Sequence, residues 1–548
     1  MDSAPSYAPL TRRIYSDTAD LDLRRSLARE AGLLDRLLSE RLMAAAAWPA
    51  LRKFLLQCES DRIPTLVYGD YDVDGSVSAT LMFRWLRAHG VPANIFLPSR
   101  FHHGYGLDMG IMEKAAGQGY KRLLALDCGT TNIDEVAMAC SGGLEVAIVD
   151  HHTCKDSLPK ALLLNPHIDH SLPPLCTAGL VYTILATLAL YDGHELVGDE
   201  LELVGLATIA DVVPLEPLNW GLGHLALERM PHTANAGLQE LLKVSRLHGL
   251  TKITGRQANF DLIPRLNAAG RMAQARMISD LLLADQQKAR EIAGRIDRLN
   301  TERKEVTQRI TEQAHAQALQ FGEYSALVLH DGAWHPGVIG IVAARVAEQH
   351  GKPTVILADA PGKPELWSGS VRSFGGIDVV SALSECSDHL VSFGGHAAAA
   401  GVKVSRASIH DLRVAWHEAV ASQTHLAEQA SLTSGAEPSQ LPEAALGDLS
   451  SQFEDDIWSL RPYGPAHALP KFRLKGVNIA RADYMGSTRI HIALQVTDGV
   501  RQIRLVGFNM SHLLPRLIVG DQAEMVVECE PDNWNNSVGL MLRLVEVT

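Results

Sequence analysis

Gly69-Asp70-Tyr71-Asp72-Val73-Asp74-Gly75 closes a short apolar run over 65–69 and leads into an amphipathic run over 77–89. A five-residue apolar run that ends in glycine and gives way to helical periodicity reads as a buried strand entering a helix. Two further stretches repeat the pattern. Leu126-Asp127-Cys128-Gly129 ends the run 122–126, and Val149-Asp150-His151-His152 ends the run 144–149. Strands are also expected over 93–98 and 161–165, with helices between. Such alternation specifies an α/β fold, a parallel sheet covered by helices on both faces. Sites in these sheets lie at the carboxyl ends of strands, where all three polar stretches fall.

The chemistry of these stretches is consistent. Asp70, Asp72 and Asp74 alternate along a segment that Gly69 and Gly75 allow to turn tightly. Crowded carboxylates raise one another's pKa unless cations neutralise them. Asp127 and Asp150 add two more, and Ala210-Asp211-Val212-Val213-Pro214-Leu215 supplies another at the end of a helical pattern. His151 and His152 are adjacent and project to different sides, so one can bind metal while the other contacts phosphate. Oxygen-rich ligation with one imidazole suits Mg²⁺ or Mn²⁺. Two such ions about 4 Å apart activate water and stabilise both attacking and leaving oxygens of a phosphodiester.

Outward from this core the chain divides. Residues 1–50 read as an N-terminal helical segment, and 51–270 as the sheet domain, with several helices over 177–250. Within 271–322 lies a long helix whose Ile292, Ile296, Leu299, Val306 and Ile310 form a narrow apolar stripe among charges, the pattern of a solvated connector. A second α/β region follows over 323–427. Strands are expected there at 325–329, 354–357, 367–372 and 401–404, with Phe393-Gly394-Gly395-His396 as a glycine-rich connection. Residues 428–469, Ala-, Ser-, Pro- and Glu-rich in their first half, read as a linker. From 470 to 548 five strands and one short helix suit an OB-type barrel. Lys471, Arg473 and Lys475 share one face of its first strand, and Phe508 and Trp534 are aromatic candidates for base stacking, with a core role favoured for Phe508.

Bulk properties bound the rest. The 548 residues carry a net charge of -13, against a coat of positive charge but not against a local basic groove. No apolar run reaches the roughly 20 residues of a membrane span. Seven scattered cysteines without a C-x-x-C pair argue against a zinc finger or disulfide frame and for a reducing cytoplasm. The N-terminal residues lack the basic-then-apolar pattern of a secretory signal.

Over nearly its whole length the chain resembles the DHH phosphoesterases, most specifically their single-strand-specific exonuclease branch. Beyond the metal motifs, the resemblance rests on several stretches. These are Pro98-Ser99-Arg100 with Gly104-Tyr105-Gly106-Leu107, Thr177-Ala178-Gly179, Pro264-Arg265-Leu266-Asn267-Ala268-Ala269-Gly270-Arg271, His335-Pro336-Gly337, Gly369-Ser370-Val371-Arg372-Ser373 and Gly394-Gly395-His396. It implies a DHH domain, a DHH-associated domain and the barrel. It further implies two ions, Mn²⁺ or Mg²⁺, on Asp72, Asp127, His151 and Asp211, with at least one of Asp70 and Asp74 joining them. Asp127 would bridge the ions and His152 would face the scissile phosphate, with Asp74 and Asp150 in the catalytic group. Arg100, Arg271, Ser370 and Arg372 would bind the 5′ end and backbone, and Arg265, Asn267, His335, Gly395 and His396 would complete the substrate contacts. The implied activity is 5′→3′ hydrolysis of single-stranded DNA to mononucleotides in recombination and repair, by a monomer. Single-strand-binding protein and repair helicases are the implied partners. A relative acting on dinucleotides, and a catalytically silent replication scaffold, are the rival readings. Two departures stand out: Cys128 replaces the usual Asn, and Arg461-Pro462-Tyr463-Gly464-Pro465 keeps only part of the usual segment before the barrel.

Overall fold

The computed structural model describes residues 9–30, 32–100, 106–196, 198–431, 441–486, 489–533 and 539–547. Gly104, Tyr105 and Trp534 lie outside these residues. The first sheet holds β1 (Thr65–Gly69), β2 (Ala93–Phe96), β3 (Arg122–Leu126), β4 (Glu145–Val149) and β5 (Leu162–Leu164) in the order β2-β1-β3-β4-β5. Every pairing is parallel. Successive strand residues point to opposite faces, so the runs feed two cores. Val67, Leu124, Leu126, Ala147 and Val149 join the larger, which includes the N-terminal helices and those after residue 176. Leu66, Tyr68, Leu123, Ala125 and Ile148 join the smaller, against the helices Met109–Gly117 and Ile133–Ser141. Continuous apolar runs are what a strand buried on both faces requires.

The helix Gln286–Ala318 links two cores rather than standing in solvent along its length. Its Ala289, Ala293 and Ile296 are buried in the first domain, and its Ile310, Ala314 and Ala318 in the second. The second sheet comprises β6 (Leu327–His330), β7 (Thr354–Ala360), β8 (Lys363–Arg372), β9 (Ser392–His396) and β10 (Ala399–Ser405), ordered β6-β7-β8-β10-β9. The glycine-rich connection expected at 393–396 is thus an edge strand, antiparallel to β10.

The expectation of a linker over 428–469 is corrected in its second half. β11 (Glu443–Ala444) pairs with β12 (Lys471–Met485), and the helix Ser451–Ser459 puts Phe453 and Ile457 into the barrel core. β13 (His491–Thr497), β14 (Gln502–Gly507), β15 (Gln522–Asp532) and β16 (Gly539–Val547) complete the sheet, and β12–β15 pairing closes it. The N-terminal segment also divides. Leu10 packs into the barrel core, whereas Leu27, Leu34 and Leu38 belong to the first domain.

The 461–470 segment, where the resemblance weakens, is firmly seated. Arg461 is buried and donates to the Ile253 and Trp458 carbonyls and to Glu228. Trp220 Nε1 donates to Leu460 O at 2.8 Å, and the Leu215 amide to Pro465 O at 2.7 Å.

Candidate metal centre and nucleic-acid groove

β1 delivers the first carboxylates through a turn that only glycine permits at both ends. A Cβ on Gly75 would lie 2.4 Å from Asp70 N, and one on Gly69 2.5 Å from Gly75 O. Asp72 caps the helix Val73–Ala88, its Oδ1 accepting the Gly75 amide at 3.0 Å. Asp74, one residue into that helix, is buried. Its Oδ2 accepts the Thr177 amide at 2.7 Å and its Oδ1 the Ala178 amide at 2.8 Å, at the N-terminus of the helix Thr177–Asp192.

β3 and β4 supply the next groups. Asp127 has a φ of +64°, in the left-handed region that non-glycine residues seldom occupy. Thr177 Oγ1 donates to its Oδ1 at 3.1 Å. Asp150 Oδ1 accepts the His151 and His152 amides and also His152 Nδ1 at 2.7 Å, while Oδ2 accepts the Thr130 amide. His151 Nε2 lies 3.3 Å from Asp127 Oδ1 and 3.5 Å from Asp211 Oδ2. Asp211 ends the helix Glu200–Ala210.

These side chains form overlapping ligand sets, each with its donor atoms within 4.8 Å: Asp70, Asp72 and Asp127; Asp74, His151 and Asp211; Asp127, His151 and His152. Burial, together with neighbouring carboxylates, holds Asp70 and Asp127 well above the usual carboxylate range and Asp211 at about 8. Such a cluster of like charges calls for cations. Asp70 Oδ1 and His151 Nε2 are buried without a hydrogen-bond partner, as atoms reserved for a ligand would be. The residues therefore fit divalent ions. His152 behaves differently. Burial lowers its pKa, but the Asp150 hydrogen bond and charge outweigh this and raise it to about 9. Asp150, correspondingly, is held below the usual carboxylate range despite its burial.

A cationic cluster adjoins the carboxylates. The Arg100 guanidinium lies 4.4 Å over the Tyr71 ring, and its charge acts on Asp70. Arg271 is pushed down to about 9 by burial and by the charges of Arg100, Arg303 and Arg372. Arg372 donates to Ser370 Oγ at 2.9 Å. A Cβ on Gly340 would crowd both, 2.9 Å from Arg372 Nη2. Gly337 touches the Arg271 carbonyl so closely that a Cβ there would be 1.9 Å away, joining the second domain to the first.

The sheet register explains the glycine-rich strand. Ser370, Gly401 and Gly394 share one row of the second sheet, and Arg372, Ala399 and His396 another. Paired residues share a face, so Ser370, Arg372 and His396 border a strip of bare backbone roughly 10 Å wide. Gly395, on the other face, is required by packing: its Cβ would meet Ala399 O at 2.3 Å. Asn267 stands one helical turn before Arg271, and His335 Nδ1 accepts the Gly337 amide at the domain joint.

The guanidinium of Arg265, a residue expected among the substrate contacts, donates to Asp297, to Asp261 O and to Val244 O. It fastens the helix Ile263–Met272 to the long helix. The barrel's basic stripe faces outward as expected, yet Glu524 lies beside Arg473, and Glu443 and Glu524 beside Lys475, so most of its charge is balanced locally. Sequence reasoning missed Arg303 and Arg345. With Lys304 and Arg309 they outnumber Glu305 and Glu312 along a cleft of about 860 Å³ beside the long helix. In sequence these residues read as a solvated helix face, and no local signal separates them from it. Phe508 is half-buried, edge-on to His491 and with Arg543 5.8 Å above its ring.

Comparison with known proteins gives concordant matches. Residues 64–208 match the DHH family N-terminal domain, 323–422 the DHHA1 domain and 443–546 the RecJ OB domain. The chain is 31% identical over 435 residues to the single-stranded-DNA-specific exonuclease RecJ of Escherichia coli, covering 72% of this chain and 75% of that protein. It is 31% identical over 488 residues to the Bacillus subtilis RecJ, covering 88% of this chain but 60% of that protein. It thus spans about three fifths of the Bacillus relative. The structure of Thermus thermophilus RecJ in complex with Mn²⁺ superposes with a TM-score of 0.76 at 25% identity, over 99% of this chain and 78% of that one.

Proposed function

The chain belongs to the RecJ family of single-stranded-DNA-specific exonucleases, and from that premise we propose that it hydrolyses single-stranded DNA from the 5′ end, releasing mononucleotides. One observation carries the reading: the arginine cluster and the carboxylate cluster meet at a single point, where Arg100 covers Tyr71 between Asp70 and Asp72. A 5′ phosphate held by Arg100, Arg271, Ser370 and Arg372 would set the next phosphodiester against the carboxylates.

Asp70, Asp72, Asp127, His151 and Asp211 would hold the cations, with Asp127 common to two of the ligand sets. Between Asp70 and Asp74, the unpaired Oδ1 of Asp70 favours Asp70 as the ligand. Asp74, with both oxygens on backbone amides, positions the helix beside the site. Two divalent ions bound there, Mn²⁺ or Mg²⁺, would supply Lewis-acid charge to the phosphodiester and lower the pKa of an attacking water. His152, kept protonated by Asp150, donates to an oxygen of the scissile phosphate and offsets its developing charge. The cleft along the long helix carries the strand's backbone, an electrostatic contact that weakens with salt. Among the described residues no helix is long and apolar enough to cross a membrane. The same reading extends to a monomer at work in the cytoplasm in recombination and repair, alongside single-strand-binding protein and helicases.

The test is a time course on single-stranded DNA of roughly 40 nucleotides, labelled separately at each end, with Mn²⁺, Mg²⁺ or chelator. Immediate release of the 5′ label as a mononucleotide, with gradual shortening of the 3′-labelled strand, is expected with metal only. Hydrolysis confined to dinucleotides would overturn the reading.

A further inference from the structure

The helices Val73–Ala88 and Thr177–Asp192 hold the catalytic centre with their N-termini, where Asp72, Asp74 and Thr177 sit. Each has 16 residues, so their other ends lie roughly 24 Å away. There His89 follows the first helix, and His194 follows the second after Gly193. Glu59 approaches from the last turn of the helix Trp48–Ser60. Donor atoms of the three lie within 4.8 Å of one another.

We propose that Glu59, His89 and His194 form a second cation site, of zinc type, which clips together the far ends of the helices that frame the catalytic centre. The tautomer of His89 is set by its surroundings. Its Nδ1 is 2.8 Å from the Trp85 carbonyl, which only accepts, so the proton sits on Nδ1 and Nε2 is left as the acceptor. A backbone carbonyl bound to the distal nitrogen is the usual support of a metal-ligating histidine. That Nε2 faces His194 Nδ1 at 2.9 Å, and His194 Nε2 stands 3.7 Å from Glu59 Oε2. Without metal His194 Nδ1 donates to that Nε2, and ligation through Nδ1 moves this proton to His194 Nε2, beside the Glu59 carboxylate. Zinc–nitrogen bonds of ~2.05 Å at the tetrahedral angle require the nitrogens to separate by only about half an ångström more.

Three features suit a cation here. The rings of His89 and His194 pack against Trp85, 4.7 and 5.5 Å between centroids, which limits their rotation. Helix C-termini carry partial negative charge. The His194 side chain is 9% exposed and that of Glu59 33%, so an ion has a path in from the carboxylate side. Two imidazoles and one carboxylate favour zinc over the harder Mg²⁺ and Mn²⁺ that suit the oxygen-rich catalytic set. The fourth position is left to water, as at three-ligand zinc sites.

The experiment uses the full chain, stripped with chelator and dialysed against excess Mg²⁺ with limiting Zn²⁺. Zinc per chain is measured by elemental analysis, and the thermal midpoint with and without zinc. Wild type should retain one more zinc than His194→Gln. Because the catalytic centre can also take zinc, the comparison is repeated in an Asp127→Asn background, where the same one-ion difference should persist. Zinc should raise the midpoint of wild type and not that of His194→Gln. Glu59→Gln, a half-exposed change outside the ring stack, controls for misfolding and should weaken zinc binding by more than about tenfold. Equal zinc content in wild type and His194→Gln, or wild-type affinity in Glu59→Gln, would overturn the proposal.

Discussion

Asp74 and Thr177 are joined across the catalytic domain. The Asp74 carboxylate accepts the Thr177 amide at 2.7 Å, and its second oxygen takes the Ala178 amide. A carboxylate on the first amides of a helix meets both the unpaired N–H groups and the positive end of the dipole. Asp74→Asn offers one acceptor where two are used, and leaves a buried N–H unmatched at about 1–3 kcal/mol. The midpoint of Asp74→Asn should therefore fall equally with and without Mn²⁺. Asp70→Asn should instead leave the metal-free midpoint no lower than that of wild type, since it removes a buried charge, and lose the rise that Mn²⁺ gives wild type. Thermal denaturation of both variants, with and without Mn²⁺, separates the brace from the ligand. The same metal response in both would sink the distinction.

Asp127 stands in the left-handed region, where burial and then the neighbouring carboxylates hold its pKa high. Without cations this burial and crowding oppose folding. A group whose folded pKa is raised contributes stability at low pH and loses it as pH rises through that value. Asp127→Asn removes one charge, so the metal-free midpoint at pH 7.5 should rise. Cleavage should nevertheless fall by more than about a hundredfold, since loss of a ligand exceeds the 10–100-fold cost of outer-shell changes. A folded Asp127→Asn with near-wild-type cleavage would remove it from the metal centre.

Arg372 and Ser370 present a fork and a hydroxyl beside the open glycine strip. Arg372→Ala should erase the preference for 5′-phosphorylated over 5′-hydroxyl strands and lower the salt slope of binding by about one. Arg372→Lys should restore part of the slope but little of the preference, because a point charge lacks the planar fork. Filter binding at several salt concentrations, with both strand types, measures each effect.

The parallel sheet was legible because strands buried on both faces must be apolar runs, and the metal motifs because they fall where those runs end. The roles within the motifs were not legible. Nothing local tells that Asp74 meets the amides of residues 177 and 178, about a hundred positions away, while Asp70 keeps an unpaired oxygen. Arg265 carried the right motif, but its partner Asp297 sits on another helix, a tertiary fact. The stretch 441–469 was read as linker with the Ala-, Ser-, Pro- and Glu-rich run that precedes it, and β11 and Phe453 are ordered by the barrel they complete. The glycines at 394 and 395 signalled a turn by composition, whereas pairing with β10 makes them a strand.

The joint between barrel and catalytic domain carries two buried histidines whose titration should set its acid limit. His467 Nε2 donates to the Leu460 carbonyl and its ring stacks on Tyr15 and Tyr463. Burial, helped by the Arg24 charge, pushes it down to about 4. His224 donates to the Arg461 carbonyl and is lowered by burial in the same way. A histidine near 6.5 when unfolded and near 4 when folded binds its proton first in the unfolded chain. Its contribution is complete above pH 6.5 and is lost as pH falls toward 4. For His467 that is about 2–3 kcal/mol. Carboxylates of the catalytic centre titrate in the opposite sense, so wild type alone would mix the two. The gap between wild type and His467→Gln, which keeps a donor but has no titratable group, cancels them. Denaturant unfolding at pH 7.5, 6, 5 and 4 should show that gap closing as pH falls. A gap that stays constant would mean that His467 is not held neutral at the joint.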